Sequence, residues 1–147
     1  MSVTDEMLCF SLYSATRATT QAYRTLLAPW KLTYPQYLVL VILWCDGEQT
    51  IRSLGAAMQL DSGTVSPLVR RLEQARLVAK ERSADDERVV TVSLTAEGNA
   101  LRTELSPVHA KIAGLAGVHD EAQRQRLIEE LHALTALLQG VSTPSDI

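Results

Sequence analysis

No apolar run in this 147-residue sequence approaches the roughly 20 residues a helix needs to cross a bilayer. The opening Met1-Ser2-Val3-Thr4-Asp5-Glu6 lacks the basic start of a secretory signal. The expectation is therefore a cytoplasmic protein without membrane contact. Cysteine is scarce: Cys9 and Cys45 are the only two, and inside a cell such a pair is seldom a structural disulfide. Neither a glycine-rich phosphate loop nor a nucleophile elbow occurs. The length is that of one ordinary domain, with no room for a separate catalytic one. His109, His119 and His132 have no cysteine or carboxylate companions at ligand spacing, so no metal site is expected and no cofactor is called for. Internal repeats and low-complexity segments are missing too.

The net charge of −3 argues at first against a nucleic-acid partner. Its distribution overrules the total. Between Ser62 and Arg82 stand Arg70, Arg71, Arg76, Lys80 and Arg82 against Glu73 and Glu81 alone. A local basic face on an acidic chain suits salt-dependent binding to DNA with little indiscriminate affinity.

That basic face belongs to the stretch 60–98, which organises the rest. Asp61 is a good N-cap, because its carboxylate can accept from the free N–H groups of a first helical turn. Val65, Leu68, Val69 and Leu72 recur at helical spacing and make one buried stripe. The other face carries Ser62, Thr64, Ser66, Pro67, Arg70 and Arg71, hydroxyls first and arginines later, as suits a helix in a DNA groove. Just upstream, residues 51–58 read as a short helix with Thr50 as N-cap and Leu54, Ala57 and Met58 inside. The two short helices make a helix-turn-helix pattern. Residues 77–82 and 88–94 flank the polar run 83–87, a hairpin signal, so a winged helix is predicted, with Lys80 and Arg82 on the first wing strand.

Residues Asp86, Arg88, Leu94, Thr95 and Gly98 fall in the pattern D-x-R-x5-L-T-x-x-G, which resembles the signature of MarR-type transcription regulators. The resemblance extends over nearly the whole chain and implies a mainly α fold with a small β wing. It implies a single MarR-type domain over 1–147, with residues 33–98 as the winged helix-turn-helix module and 1–32 and 99–147 as dimerisation helices. Arg88 is expected to reach the minor groove or to brace the wing through Asp86. A homodimer follows from the terminal helices. Residues 4–28 form one long helix ended by Pro29, and a second begins near Pro35 with the apolar run 37–44 as core. A helix over 96–117 is capped by Thr95 and kinked at Pro107. A last helix starts at Asp120 with Leu127, Ile128, Leu131, Leu134 and Leu138 inside, and 142–147 form a frayed tail. The two outer stripes need cover that a second copy supplies, and a two-fold protein matches a palindromic operator in double-stranded DNA.

Leu8-Cys9-Phe10-Ser11-Leu12-Tyr13 and Leu32-Thr33-Tyr34-Pro35-Gln36-Tyr37 resemble the organic hydroperoxide sensors, the OhrR branch of that family. The resemblance implies that Cys9 is the redox-sensing residue and that Tyr23 and Tyr34, from the other subunit, hydrogen-bond its thiolate. Phenols can hold a thiolate by charge-assisted hydrogen bonds without adding a competing charge. The inducer is then an organic hydroperoxide. The second, resolving cysteine of some members has no counterpart in 95–147, so oxidised Cys9 is capped by a small cellular thiol or overoxidised. Cys45 is read as structural. Two other functions compete with a peroxide-released repressor. One is a repressor of the same fold released by a small aromatic ligand. The other is a thiol peroxidase, which would leave the basic helix without a purpose. The expectation is a regulator and not an enzyme.

Overall fold

The computed structural model describes residues 2–141. These fall into two compact units, divided between His109 and Ala110, and no single helix among them is long and apolar enough to cross a membrane. The frayed tail expected over 142–147 lies outside the described residues.

The first unit opens differently from expectation. Instead of one helix from Thr4, a 3-10 turn over Val3–Glu6 precedes α1 (Leu8–Leu27), with Met7 extended between them. Short polar side chains cause the break: the Ser2 amide donates to Asp5 Oδ2 at 2.8 Å, and a local bond of this kind competes with helix propagation. A second 3-10 turn, Ala28–Trp30, follows α1, and Lys31 turns the chain in the left-handed region at φ 56°.

α2 (Tyr34–Asp46) is the centre of this unit. Thr33 caps it reciprocally: the Thr33 amide donates to Gln36 Oε1 (2.9 Å) and the Gln36 amide to Thr33 Oγ1 (3.4 Å). Val39, Leu40 and Leu43 are buried from this helix, as its nearly all-round apolar composition requires. Its end holds a correction. Cys45 is exposed rather than packed as a small structural residue.

The helix-turn-helix consists of α3 (Ile51–Met58) and α4 (Ser62–Gln74), capped by Thr50 and Asp61 as the sequence indicates. Leu54 is fully buried, but Ala57 is exposed, and Gly55 takes the inner position instead. The turn explains this: Gln59 adopts φ 55°, and the chain doubles back so that the Leu60 carbonyl lies 2.6 Å from where a Cβ on Gly55 would stand. Val65, Val69 and Leu72 of α4 complete the core.

The wing strands β2 (Val78–Arg82) and β3 (Val90–Leu94) pair antiparallel, Lys80 opposite Val92 and Arg82 opposite Val90. A third strand, β1 (Gln49–Thr50), joins the other edge of β3 and escaped the sequence reading, because two residues carry no alternation to detect. α5 (Ala96–Leu115) starts where Thr95 Oγ1 accepts from the Gly98 amide (3.0 Å) and donates to the Arg76 carbonyl (2.7 Å). α5 runs unbroken through Pro107, with Ser106 Oγ donating to the Thr103 carbonyl that the proline nitrogen cannot reach.

In the second unit, α6 (Glu121–Gln139) is capped by Asp120, whose Oδ1 accepts from the Ala122 amide (2.9 Å). None of its residues is buried: Leu127, Leu131 and Leu138 of the expected inner stripe are 46%, 40% and 55% exposed.

One residue of the motif is required to be glycine by sterics. A Cβ on Gly98 would stand 1.9 Å from the Leu77 carbonyl oxygen, so α5 and the base of β2 can approach only over glycine. Gly98→Ala should force backbone apart at a cost of about 1–3 kcal/mol, typical of overpacking. A urea melt checks this; an unchanged midpoint contradicts the close approach.

Candidate functional site

The basic face is borne by α4 and the wing. Asp61 fixes the start of α4: its Oδ1 accepts from the Thr64 amide at 2.8 Å and its Oδ2 from Thr64 Oγ1 at 3.0 Å. These bonds hold the Asp61 carboxyl below the ordinary aspartate range. Ser62, Thr64, Pro67, Arg70 and Arg71 are exposed, while Ser66 is half-buried and donates to the Ser62 carbonyl at 2.8 Å. Pro67 has no N–H, so the Gly63 carbonyl is left without its helical donor. Arg70 and Arg71 form no ion pair among the described residues. Arg71 lines a hollow with Lys31, Thr33 and Gln36 beside the start of α2.

Along the wing, Lys80 lies 3.7 Å from Glu73. Arg82 donates to the Glu87 carbonyl at 3.0 Å, which ties β2 to the far side of the wing tip. Asp86 accepts from the backbone amide of Arg88 at 3.0 Å, so it shapes the tip through the main chain. The exposed Arg88 guanidinium makes no ion pair among the described residues.

A second constellation lies where α1 packs on the first turns of α2. Tyr23 from α1 and Tyr34 stack with ring centroids 4.0 Å apart, and Tyr37 leans against Tyr23 at 5.8 Å. Together with Leu38, Val41 and His109 they line a hollow of about 350 Å³. Burial, and then the neighbouring Tyr34 and Tyr37, push Tyr23 up to about 12. Burial likewise raises Tyr34 and Tyr37 above the ordinary tyrosine value. Tyr37 then meets Trp44 edge-on at 6.3 Å.

Cys9 is exposed on α1 between Leu8 and Phe10, which are 63% and 41% exposed. It precedes Tyr23 by 14 positions on one continuous helix, a separation of about 21 Å along the axis. Within one chain Cys9 and the tyrosine stack are therefore apart. Tyr37 and His109 were absent from the sequence-based site. Tyr37 had a signal, since it lies three positions after Tyr34 and shares its face. His109 had none, because only the packing of α5 brings it to the phenols.

The sequence profile of the SarA/Rot transcriptional regulators matches residues 21–105. The chain is 38% identical over 134 residues to the organic hydroperoxide resistance transcriptional regulator of Bacillus subtilis, covering 87% of this chain and 91% of that one. Among solved structures it resembles reduced AbfR bound to DNA, a Staphylococcus epidermidis protein, with 32% identity, 89% and 91% of the two chains covered and a TM-score of 0.76. It also resembles BpsR of Bordetella bronchiseptica, whose DNA binding is regulated by 6-hydroxynicotinic acid, with 27% identity, 88% and 94% covered and a TM-score of 0.78.

The phenols make a measurable prediction. A raised tyrosine value means that folding favours the neutral form, so the stability tied to Tyr23 is fully present below the unfolded value near pH 10 and is lost as pH rises toward about 12. Tyr23→Phe should remove the last step of the tyrosinate absorbance titration and flatten the alkaline fall in melting temperature. A titration with all four tyrosines ionising together contradicts the burial of this pair.

Proposed function

This chain belongs to the SarA/Rot family of MarR-like winged-helix transcriptional regulators, and we propose that it is a repressor that senses organic hydroperoxides through Cys9 and then releases its operator. The coarser function is that of a DNA-binding regulator of the MarR type. The observation that carries the sensor reading is the Tyr23–Tyr34 stack at the wall of a hollow, in a chain whose own Cys9 sits too far along α1 to meet it. A second copy of the chain supplies the missing thiol. The Bacillus subtilis regulator, with its role in organic hydroperoxide resistance, supports this reading.

In the reader, residues 33–98 act as the DNA-binding module. α4 enters the major groove with Ser62, Thr64, Ser66, Pro67, Arg70 and Arg71, while Lys80, Arg82 and Arg88 follow the backbone along the wing. Residues 1–32 and 99–147 join two chains, covering the exposed Leu127, Leu131 and Leu138 and presenting two recognition helices to a palindromic site.

In the sensor, the Cys9 thiolate of the partner subunit attacks the outer oxygen of the hydroperoxide. The O–O bond breaks, and the inner oxygen leaves as an alkoxide that takes up a proton to become an alcohol. Cys9 keeps the outer oxygen with its hydrogen as a sulfenic acid, which a small thiol then caps with loss of water. The reduced thiolate is held by hydrogen bonds from Tyr23 and Tyr34. The adduct breaks them and needs volume that packed interiors lack, so the tyrosines move. Tyr34 is the first residue of α2, and the other end of α2 is bonded to the root of the wing: Trp44 Nε1 donates to the Gly98 carbonyl at 2.9 Å. A shift of α2 therefore changes the spacing of the recognition helices. A hundredfold loss of affinity needs only about 3 kcal/mol of difference between the two conformations.

The same hollow supports a second reading, release by a small aromatic ligand; the DNA binding of the similar BpsR is regulated by an aromatic molecule, 6-hydroxynicotinic acid.

Two sets of variants test these readings. In operator binding, Arg70→Ala should cost about 1–3 kcal/mol if the side chain reads a base, and Arg88→Ala should lower the slope of affinity against salt. Normal binding by Arg88→Ala across a salt titration contradicts the wing assignment. In peroxide-driven DNA release, Cys9→Ser should still bind operator yet ignore peroxide, Tyr23→Phe and Tyr34→Phe should respond slowly, and Cys45→Ser should match the parent. A Cys9→Ser protein that lets go of DNA on oxidation moves the sensor elsewhere.

A further inference from the structure

The hydroperoxide step leaves an alkoxide, and an alkoxide needs a proton. Of the groups that line the tyrosine hollow, Tyr23, Tyr34 and Tyr37 are phenols, Leu38 and Val41 are aliphatic, and His109 is an imidazole. All three phenols are held above the ordinary tyrosine value, first by burial, so they can donate hydrogen bonds but give up protons reluctantly. No carboxylate, lysine or arginine lines the hollow; the Cys45 thiol bears on Tyr37 from the end of α2. On α5 itself the residues three and four positions from His109 are Leu105, Ser106, Ile112 and Ala113, none of which titrates. Histidine is the side chain that most readily holds and releases a proton near neutrality.

We propose that His109 is the general acid of the hydroperoxide reaction, a catalytic residue that protonates the leaving oxygen as Cys9 of the partner subunit is oxidised. This rests on the sensor reading above. Electrons and protons balance: the thiolate sulfur gives an electron pair to the outer oxygen, which keeps its hydrogen and becomes the sulfenic hydroxyl. The O–O pair departs with the inner oxygen, the His109 imidazolium proton passes to it, and an alcohol and neutral imidazole remain. Peroxide is reduced and sulfur oxidised, with no further co-reactant. The substrate class follows from the same step. A general acid matters most for alkyl hydroperoxides, whose leaving alkoxide is strongly basic, and little for peroxy acids, whose leaving carboxylate is stable without a proton.

The test uses full-length Cys45→Ser protein, in which Cys9 is the only thiol, and follows loss of that thiol with two probes, tert-butyl hydroperoxide and peracetic acid. His109→Asn should slow the alkyl hydroperoxide about a hundredfold, the low end for general acid catalysis. It should barely alter the rate with peracetic acid. His119→Asn, a change at an exposed residue outside the hollow, should behave as the parent with both probes. Equal slowing of the two probes, or no slowing of either, overturns the general-acid role. If the parent's Cys9 survives both probes, the sensor reading itself falls and takes this step with it.

Discussion

Four elements of the first unit meet at the contact between the Leu77 carbonyl and Gly98. The Leu77 amide closes the end of α4 by donating to the Leu72 carbonyl at 3.0 Å, and its carbonyl accepts from the Thr95 amide at 3.1 Å. Gly98 lies so close to that carbonyl that no side chain fits between them. The Gly98 carbonyl in turn accepts from Trp44 at the end of α2, and Arg102 returns a bond to the Trp44 carbonyl at 3.0 Å. The recognition helix, the wing root, the start of α5 and the end of α2 are thus tied within a few residues. Any displacement of one must be shared by the others, because each bond is short and the space is filled.

That junction makes α2 a lever. Its first turn holds Tyr34 against Tyr23, and its last turn holds Trp44 against Gly98. On the proposed function, whatever enters the tyrosine hollow acts at one end, and the DNA-reading face answers at the other. On that proposal, an oxidised thiol and a bound aromatic molecule would pull the same lever. What distinguishes them is the chemistry at the hollow, above all whether a thiol reaches it.

Much of the reading end was legible in the sequence. Asp61 and Thr50 announced their helices by capping chemistry, and the stripe of Val65, Val69 and Leu72 announced which face of α4 was inside. The D-x-R-x5-L-T-x-x-G pattern turned out to have a local physical content: Asp86 holds the wing tip by the Arg88 amide, Thr95 links two chain segments through its hydroxyl, and Gly98 permits the close approach. Other features left no trace in the residue order. The two-residue strand β1 is too short for a pattern, and the break at Met7 depends on a local competition for hydrogen bonds. His109 and Trp44 gain their places from long-range packing. The uncovered leucines of α6 were legible as a stripe but not as exposed, since burial depends on what covers them.

The central claim is that the sensing site is assembled from two chains, Cys9 from one and the tyrosine stack from the other. Mixed dimers of differently tagged chains test it most directly. With Cys9→Ser in one chain and both Tyr23→Phe and Tyr34→Phe in the other, the remaining Cys9 faces an unaltered stack and should be oxidised at the parental rate. With all three changes in one chain, the remaining Cys9 faces the altered stack and should react slowly. The reverse order would contradict the account and return the site to a single chain.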